Sequence, residues 1–279
     1  MILKSFSKIN LSLSVNRKLK KKRLHDLQSY FCLIDLFDQI KIEKVKDLKD
    51  KVKFQGRFAK YINKKNNSIL NVLAILRERN IISSYYSVVV NKKIPVFSGL
   101  GGGTSNAACL AKHLARKKLN RGMLNILEKK IGSDSKLFFY NQGFLKNLKK
   151  VDNFKRKYKL YLLLTYPNIQ CSTRDIYSKL RKYSSKSKHN FNKINDKDKF
   201  IKFLVNKKND LQFIVEKKYP VIKRLLKEIS LIKGCYFSRM TGSGSVCFGV
   251  FKSEKTAKVA LKIIKLKFPK YWVSFAKTI

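Results

Sequence analysis

Acidic side chains are scarce in this chain. Only 17 aspartates and glutamates stand against 64 lysines and arginines, a formal charge of +47 over 279 residues. Charge of that size first suggests a nucleic-acid binder. Arginine, however, is the minority cation, and the lysines are scattered over nearly every segment. Surfaces that clamp phosphates or read bases favour arginine and gather charge on one face. Two readings stay open: a compositional drift toward Lys, Asn and Ile, or a polyanion-binding surface. Histidine is scarcer still, and His25, His113 and His189 are too few for a His-rich metal site. Cys32, Cys109, Cys171, Cys235 and Cys247 include no Cys-x-x-Cys pair, and their number is odd. That argues against a disulfide frame or a zinc site, and for reduced thiols in a cytoplasmic protein. Long apolar runs are missing too. The start, Met1-Ile2-Leu3-Lys4-Ser5-Phe6, has no leader pattern, and no stretch approaches a membrane span. No internal repeat is present. Hydrophobic residues make up 44%, enough for a core, and the length suits one large or two modest domains.

What the chain does have is glycine, concentrated in one place. Gly99-Leu100-Gly101-Gly102-Gly103-Thr104-Ser105 puts four glycines in five positions, followed by two hydroxyls. Tyr85 to Val90 before it reads as a strand. Ala107, Leu110, Ala111 and Leu114 after it recur at helical spacing, in a helix reaching about Lys118. A strand, a glycine turn and a helix start form an anion cradle, because glycine lets a ligand approach the amides and the helix N-terminus adds unpaired N–H groups. The alternative is a flexible turn capped by Thr104. The segment lacks the Gly-Lys-Ser/Thr ending of a Walker A loop, and it does not follow the dinucleotide fingerprint.

The stretch Gly99 to Ala108, with Pro95 ahead of it, resembles the phosphate loop of the GHMP kinases. Other motifs of that family follow in order. Ser7-Lys8-Ile9-Asn10-Leu11 resembles the family's Ala-Lys-Ile-Asn-Leu strand. Alternation from Ile9 to Val15 puts Lys8 and Asn10 on one strand face; from pattern alone that face is solvent-exposed. Ile131-Gly132-Ser133-Asp134-Ser135-Lys136-Leu137-Phe138-Phe139 is similar to Leu-Gly-x-Asp-Val-Pro-Phe-Phe, with Ser135 and Lys136 replacing Val and Pro. Taken alone, Asp134 reads as a helix cap. Met240-Thr241-Gly242-Ser243-Gly244 resembles Met-Ser-Gly-Ser-Gly, with Thr241 in the Ser position; as bare sequence it is a hairpin turn.

The resemblance implies an α+β, two-domain GHMP kinase fold with the active site in the interdomain cleft. It divides the chain into an ATP-binding domain, 1–150, and a C-terminal domain, 151–279. It implies ATP and Mg²⁺ as cofactors and transfer of the γ-phosphate to an alcohol. Asp134 is then the acid/base, with Lys8 beside it steadying the developing alkoxide. The loop residues Pro95, Gly99, Leu100, Gly101, Gly102, Gly103, Thr104 and Ser105 hold ATP, with Thr104 or Ser105 reaching phosphate or Mg²⁺. Gly242, Ser243 and Gly244 steady the loop. The triple glycine points to the subgroup whose acceptor carries a diphosphocytidyl group. There Asn10, His25, Thr173 and Tyr177 are the substrate-binding positions, with His25 pairing with the cytosine and Tyr177 stacking on it. Arg23 and Leu24 stand where that subgroup has Gly and Tyr, so one aromatic is missing. Two other classes stay open: a homoserine or mevalonate type of GHMP kinase, or a non-catalytic polyanion binder on the same scaffold. A small-molecule substrate, no membrane, no specific nucleic acid and a monomer or homodimer are expected.

Elsewhere, an acidic turn is expected around Asp35 to Asp38, followed by a strand through Ile40, Ile42 and Val45. Helices are expected at Asn67–Leu76, whose Asn-to-Ala spacing resembles a nucleotide-flanking family helix, and at Met123–Ile131. Lys146 to Lys157 reads as a basic, turn-like boundary, and Ser184 to Lys199 as a mobile lysine- and serine-rich stretch. Helices near Asn209 and Tyr219-Pro220, a helix over 254–267 and a last strand at 271–273 complete the expectation.

Overall fold

The computed structural model describes residues 1–19, 25–187 and 196–279. Strand β1 (Ile2–Asn10) is followed by β2 (Ser14–Lys18), β3 (His25–Val45) and β4 (Lys51–Gln55). Then come α1 (Ser68–Glu78), β5 (Tyr85–Asn91), α2 (Gly102–Ala115) and α3 (Arg121–Lys130). The hairpin β6 (Gln142–Asn147) and β7 (Lys150–Asn153) precedes β8 (Tyr161–Tyr166) and α4 (Thr173–Ser178). Helices α5 (Lys197–Val205), α6 (Gln212–Lys218) and α7 (Pro220–Ser230) lead to β9 (Cys235–Met240), β10 (Cys247–Phe251), α8 (Glu254–Lys267) and β11 (Trp272–Lys277). No helix among the described residues is long and apolar enough to cross a membrane.

The chain forms two compact units whose segments interleave. One is Met1–Lys8, Leu36–Val96 and Gly101–Tyr140; the other is Ile9–Asp35, Phe97–Leu100 and Asn141–Ile279. In the first, β5 pairs antiparallel with the later half of β3 and parallel with β4. Ile40, Ile42, Val88 and Val90 face Ile69, Val72, Leu73 and Leu76 of α1 and Ala107, Leu110 and Ala111 of α2 in one buried core. Small residues at 107, 108 and 111 let α2 lie close to α1, whose start is fixed by the Asn67 side chain accepting from Ile69 and Leu70, both at 3.1 Å.

In the second unit an antiparallel sheet runs β11-β8-β10-β9. The strand Leu162-Leu163-Leu164 is buried on both faces, as a near-continuous apolar run requires. Helix α7 packs on β9 and β10, and α8 on β8 and β11. Proline at the first position starts α7, and a Ser253–Thr256 capping box starts α8.

Four stretches depart from the sequence reading. The alternating run to Val15 is broken, because the amides of Leu11 and Ser12 both reach the Tyr30 carbonyl. The acidic turn does not form, and β3 runs straight through it. Asp35 accepts the Lys277 amide at 2.8 Å, and Asp38 is drawn into a buried cluster. Lys146 to Lys157 contains the β6–β7 turn, closed by Asn147 accepting from the Lys149 and Lys150 amides. Ser184 and Ser187 are tied into hydrogen bonds, and α5 opens on an Asp196 cap; 188–195 of that stretch lie outside the described residues.

Asp38 and Lys92 are 0% and 2% exposed and form an ion pair. The same carboxylate accepts the Lys93 amide at 2.7 Å and the Ile94 amide at 2.9 Å. This cluster bends the chain as it leaves β5 for the glycine loop. Removing one partner of a buried pair strands the other charge. Lys92→Met is therefore expected to lower unfolding free energy by about 3–5 kcal/mol in urea titrations. A change below about 1 kcal/mol would show that the pair is not needed for stability.

Candidate active site

Helix α2 begins on Gly101, which sits at φ +71° as its N-cap and offers no side-chain cap. A Cβ there would lie 2.8 Å from Phe138 Cζ and 3.4 Å from Lys8 Cε, so only glycine fits. The amides of Gly102, Gly103 and Thr104 have no acceptor among the described residues, and no acidic residue lies in the first turn. The helix thus presents unsatisfied donors and the positive end of its dipole. Thr104 does not cap it, which removes the simple capped-turn reading. Gly103 is exposed, and a Cβ on it would meet only Ser68 Oγ at 3.6 Å, leaving the amides approachable. Pro95 and Leu100 are buried.

The two hydroxyls separate. Ser105 is buried, and its Oγ bonds Ser5 Oγ at 2.7 Å and donates to the Phe6 carbonyl. It fastens α2 to β1. The Thr104 hydroxyl has no partner among the described residues. Asn106 accepts from Ser5 at 3.2 Å, completing the anchor.

In the same unit Lys8 Nζ lies 3.1 Å from Asp134 Oδ2. Lys8 is 3% exposed and Asp134 about one third exposed, so the carboxylate has one buried cation and one open side. The solvent-face reading of Lys8 therefore fails. Asp134 precedes a short 3-10 turn, Ser135–Phe139, but its side chain makes no cap bond. The carboxylate is free of structural duty other than the pair with Lys8. Lys136, in the position where the resemblance has proline, is buried and pairs with Glu128 at 2.5 Å, so the substitution carries its own counter-charge. Ser135 Oγ donates to the Gly132 carbonyl at 2.7 Å and closes the turn.

The second unit gathers the remaining positions. Asn10 is 3% exposed; its side-chain amide donates to Ser29 Oγ at 2.8 Å and its backbone amide to Thr241 Oγ1 at 2.9 Å. Gly99 has φ +80°, and a Cβ on it would stand 2.1 Å from the Thr241 carbonyl oxygen. The Val246 amide reaches the Ser98 carbonyl at 3.1 Å, so the 241–246 turn braces the loop at Ser98 and Gly99. Asn209, which the sequence marked only as a helix opening, donates to the Met240 and Gly242 carbonyls at 2.8 Å each and holds this turn. Ser243 Oγ is 2.8 Å from Thr173 Oγ1 at the start of α4. Gly244 donates to the Thr241 carbonyl at 3.0 Å.

His25 and Tyr177 come together with ring centroids 4.9 Å apart and planes at 31°. Burial and then the Lys18 ammonium lower the His25 pKa below the ordinary imidazole value. Tyr183, which no motif marked, lies 6.3 Å from His25 at 27°. His113 is on α2.

The family model for GHMP kinases C terminal matches residues 188–270. A 4-diphosphocytidyl-2-C-methyl-D-erythritol kinase from Pelagibacter ubique is 37% identical over 282 residues, covering 99% of this chain and 98% of that protein. The protein of the same name from Wolbachia pipientis wMel is 31% identical, with 97% and 96% covered. A crystal structure of 4-(cytidine 5'-diphospho)-2C-methyl-D-erythritol kinase superposes with a TM-score of 0.76 at 20% identity, covering both chains completely. That likeness carries the fold, and the full-length sequence matches carry the family. The chain belongs to the GHMP kinases and, among them, to the 4-diphosphocytidyl-2-C-methyl-D-erythritol kinases.

Proposed function

We propose that the chain transfers the γ-phosphate of ATP to the 2-hydroxyl of 4-diphosphocytidyl-2-C-methyl-D-erythritol, a step of the methylerythritol phosphate route to isoprenoids. The observation that carries this reading is the Lys8–Asp134 pair, a partly open carboxylate 3.1 Å from a buried ammonium. Residue by residue, the pair occupies the positions that the family resemblance assigns to acid/base chemistry. In this reading Asp134 takes the proton from the acceptor hydroxyl. Lys8 stabilises the negative charge that develops on the acceptor oxygen. Phosphoryl transfer needs little beyond alignment and charge neutralisation. The amides of Gly102, Gly103 and Thr104 supply donors to the triphosphate without any rearrangement, because they already lack acceptors.

Mg²⁺ bound with ATP neutralises charge on the phosphates. Among the described residues no three His, Cys, Asp or Glu side chains form a cation cage. The donor set therefore suits an ion held chiefly by phosphate oxygens and water. Thr104 is the loop hydroxyl left to reach it, since Ser105 is bonded to β1. Asn10 and Thr173 hold the acceptor, and His25 and Tyr177 the cytosine. Cysteines that are all free support a cytoplasmic reaction.

The direct test is ADP release from ATP and Mg²⁺ with and without this substrate. Substrate-dependent release is expected; release with homoserine or mevalonate instead would move the function within the family. Asp134→Asn is expected to retain ATP binding by calorimetry and to lose about 10²–10⁴-fold in kcat. Turnover near wild type would refute the acid/base role.

His25 gives a pH-dependent prediction. Its folded pKa lies below the free value of about 6.5, so at pH 7 the ring is neutral, with one donor and one acceptor nitrogen. The NMR titration midpoint of His25 is expected below 6.5, moving upward in Lys18→Ala. Substrate affinity that uses the neutral ring is steady above pH 7 and declines as pH falls through the midpoint. A midpoint at or above the free value contradicts this.

A further inference from the structure

Within the second unit, Tyr183 is an exposed aromatic in a segment otherwise made of Arg, Lys and Ser. Such segments are ordinarily loose, and a loose tyrosine carries little meaning. This one is pinned on both sides. Upstream, Leu180 is buried and its amide donates to the Tyr177 carbonyl at 3.2 Å. Downstream, the Ser184 amide donates to the Val15 carbonyl at 2.9 Å, and Asn16 Nδ2 donates back to the Ser184 carbonyl at 3.0 Å. Three residues further on, the Ser187 backbone exchanges two hydrogen bonds with the Gln28 side-chain amide, at 2.8 and 3.1 Å. Between these anchors Lys186 pairs at 2.7 Å with Asp26, which is 6% exposed.

Asn16 on β2 and Asp26 and Gln28 on the paired strand β3, which begins at His25, are all engaged in fixing the segment that bears Tyr183. The result is a ring 43% exposed, 6.3 Å from His25 and inclined to it by 27°. That separation lies at the wide end of aromatic pairing, so His25 and Tyr183 are near-parallel without full face contact. A tyrosine whose flanking backbone is anchored and whose side chain is partly open is a stacking platform, because part of its ordering entropy is already spent before a ligand arrives.

We propose that Tyr183 is a specificity-determining residue of the acceptor site, stacking on the cytosine of the diphosphocytidyl substrate beside His25 and Tyr177. The proposal rests on the function given above. It also accounts for Leu24, the position at which the resemblance has a tyrosine against the nucleotide: this chain supplies its second ring from a different segment. Asn16, Asp26 and Gln28 act through Tyr183 as positioning residues.

One aromatic–base stack is worth about a tenfold change in affinity, the low end of measured alanine substitutions. In steady-state kinetics Tyr183→Ala is expected to raise KM for the diphosphocytidyl substrate about tenfold while kcat and KM for ATP hold. Tyr183→Phe, which keeps the ring, recovers the wild-type KM. Gln28→Ala, which releases Ser187, raises the same KM by a smaller factor. Cytidine 5′-diphosphate titrated by calorimetry reads the stack without turnover, and its affinity should weaken in Tyr183→Ala by the same factor. Wild-type activity on the substrate with an unchanged KM and unchanged cytidine diphosphate affinity in Tyr183→Ala overturns the proposal and leaves the function standing. A wild-type protein that neither turns over the substrate nor binds cytidine diphosphate overturns both.

Discussion

Two backbone positions govern the phosphate loop, and each is closed to any side chain. At Gly99 a Cβ would collide with the Thr241 carbonyl oxygen; at Gly101 it would enter the space of Phe138. Both residues take left-handed angles. The loop is therefore held from outside rather than by its own hydrogen bonds. With glycine as its N-cap, α2 leaves its first amides without an acceptor among the described residues, where an N-cap side chain would satisfy one of them. The same constraint explains the division of labour between the hydroxyls. Ser105 locks the helix to β1 through Ser5 and Phe6, whereas the hydroxyl of its neighbour Thr104 has no partner among the described residues.

Charge in this molecule is abundant, but where it matters it is sparse and buried. Lys8, Lys92 and Lys136 are each almost fully covered, and each pairs with a carboxylate. The three partners differ in what else they do. Asp38 also accepts two backbone amides and is structural. Glu128 compensates the lysine that stands in a proline position. The Asp134 carboxylate has an open side and accepts no backbone amide among the described residues, the features on which its proposed acid/base role rests. The exposed lysines that dominate the composition contribute little to this logic, since solvent-facing pairs are weak.

Much of the site could be read from the sequence, because glycine leaves a local signature: four in five positions before a helical pattern have few explanations. Lys8 and Asn10 were harder. Alternation says that they share a strand face, but not whether that face meets solvent, and both proved buried. The acidic residues at 35 and 38 look like a turn because aspartate breaks strands; distant amides satisfy them, which no local pattern reveals. The same holds for Ser105, whose partners lie about a hundred residues away. Tyr183 was hidden by its neighbours, since a lysine- and serine-rich context reads as loose when long-range bonds to β2 and β3 are unseen.

The interleaving of the two units bears on how the chain comes into being. Residues 9–35 belong to a unit otherwise built from residues 97–100 and 141–279, and the later strand that pairs with them, β6, begins only at Gln142. On the ribosome, at about 5–20 residues per second, the β3 edge at Ser29–Cys32 waits roughly 5–20 s for β6. An unpaired strand edge is an aggregation hazard for as long as it waits, and exposed cations are one of the commonest guards against edge-to-edge pairing. Arg17 and Lys18, exposed on β2, lie on that early segment. Exposed cations on an early strand are thus placed to guard an edge before its partner is made.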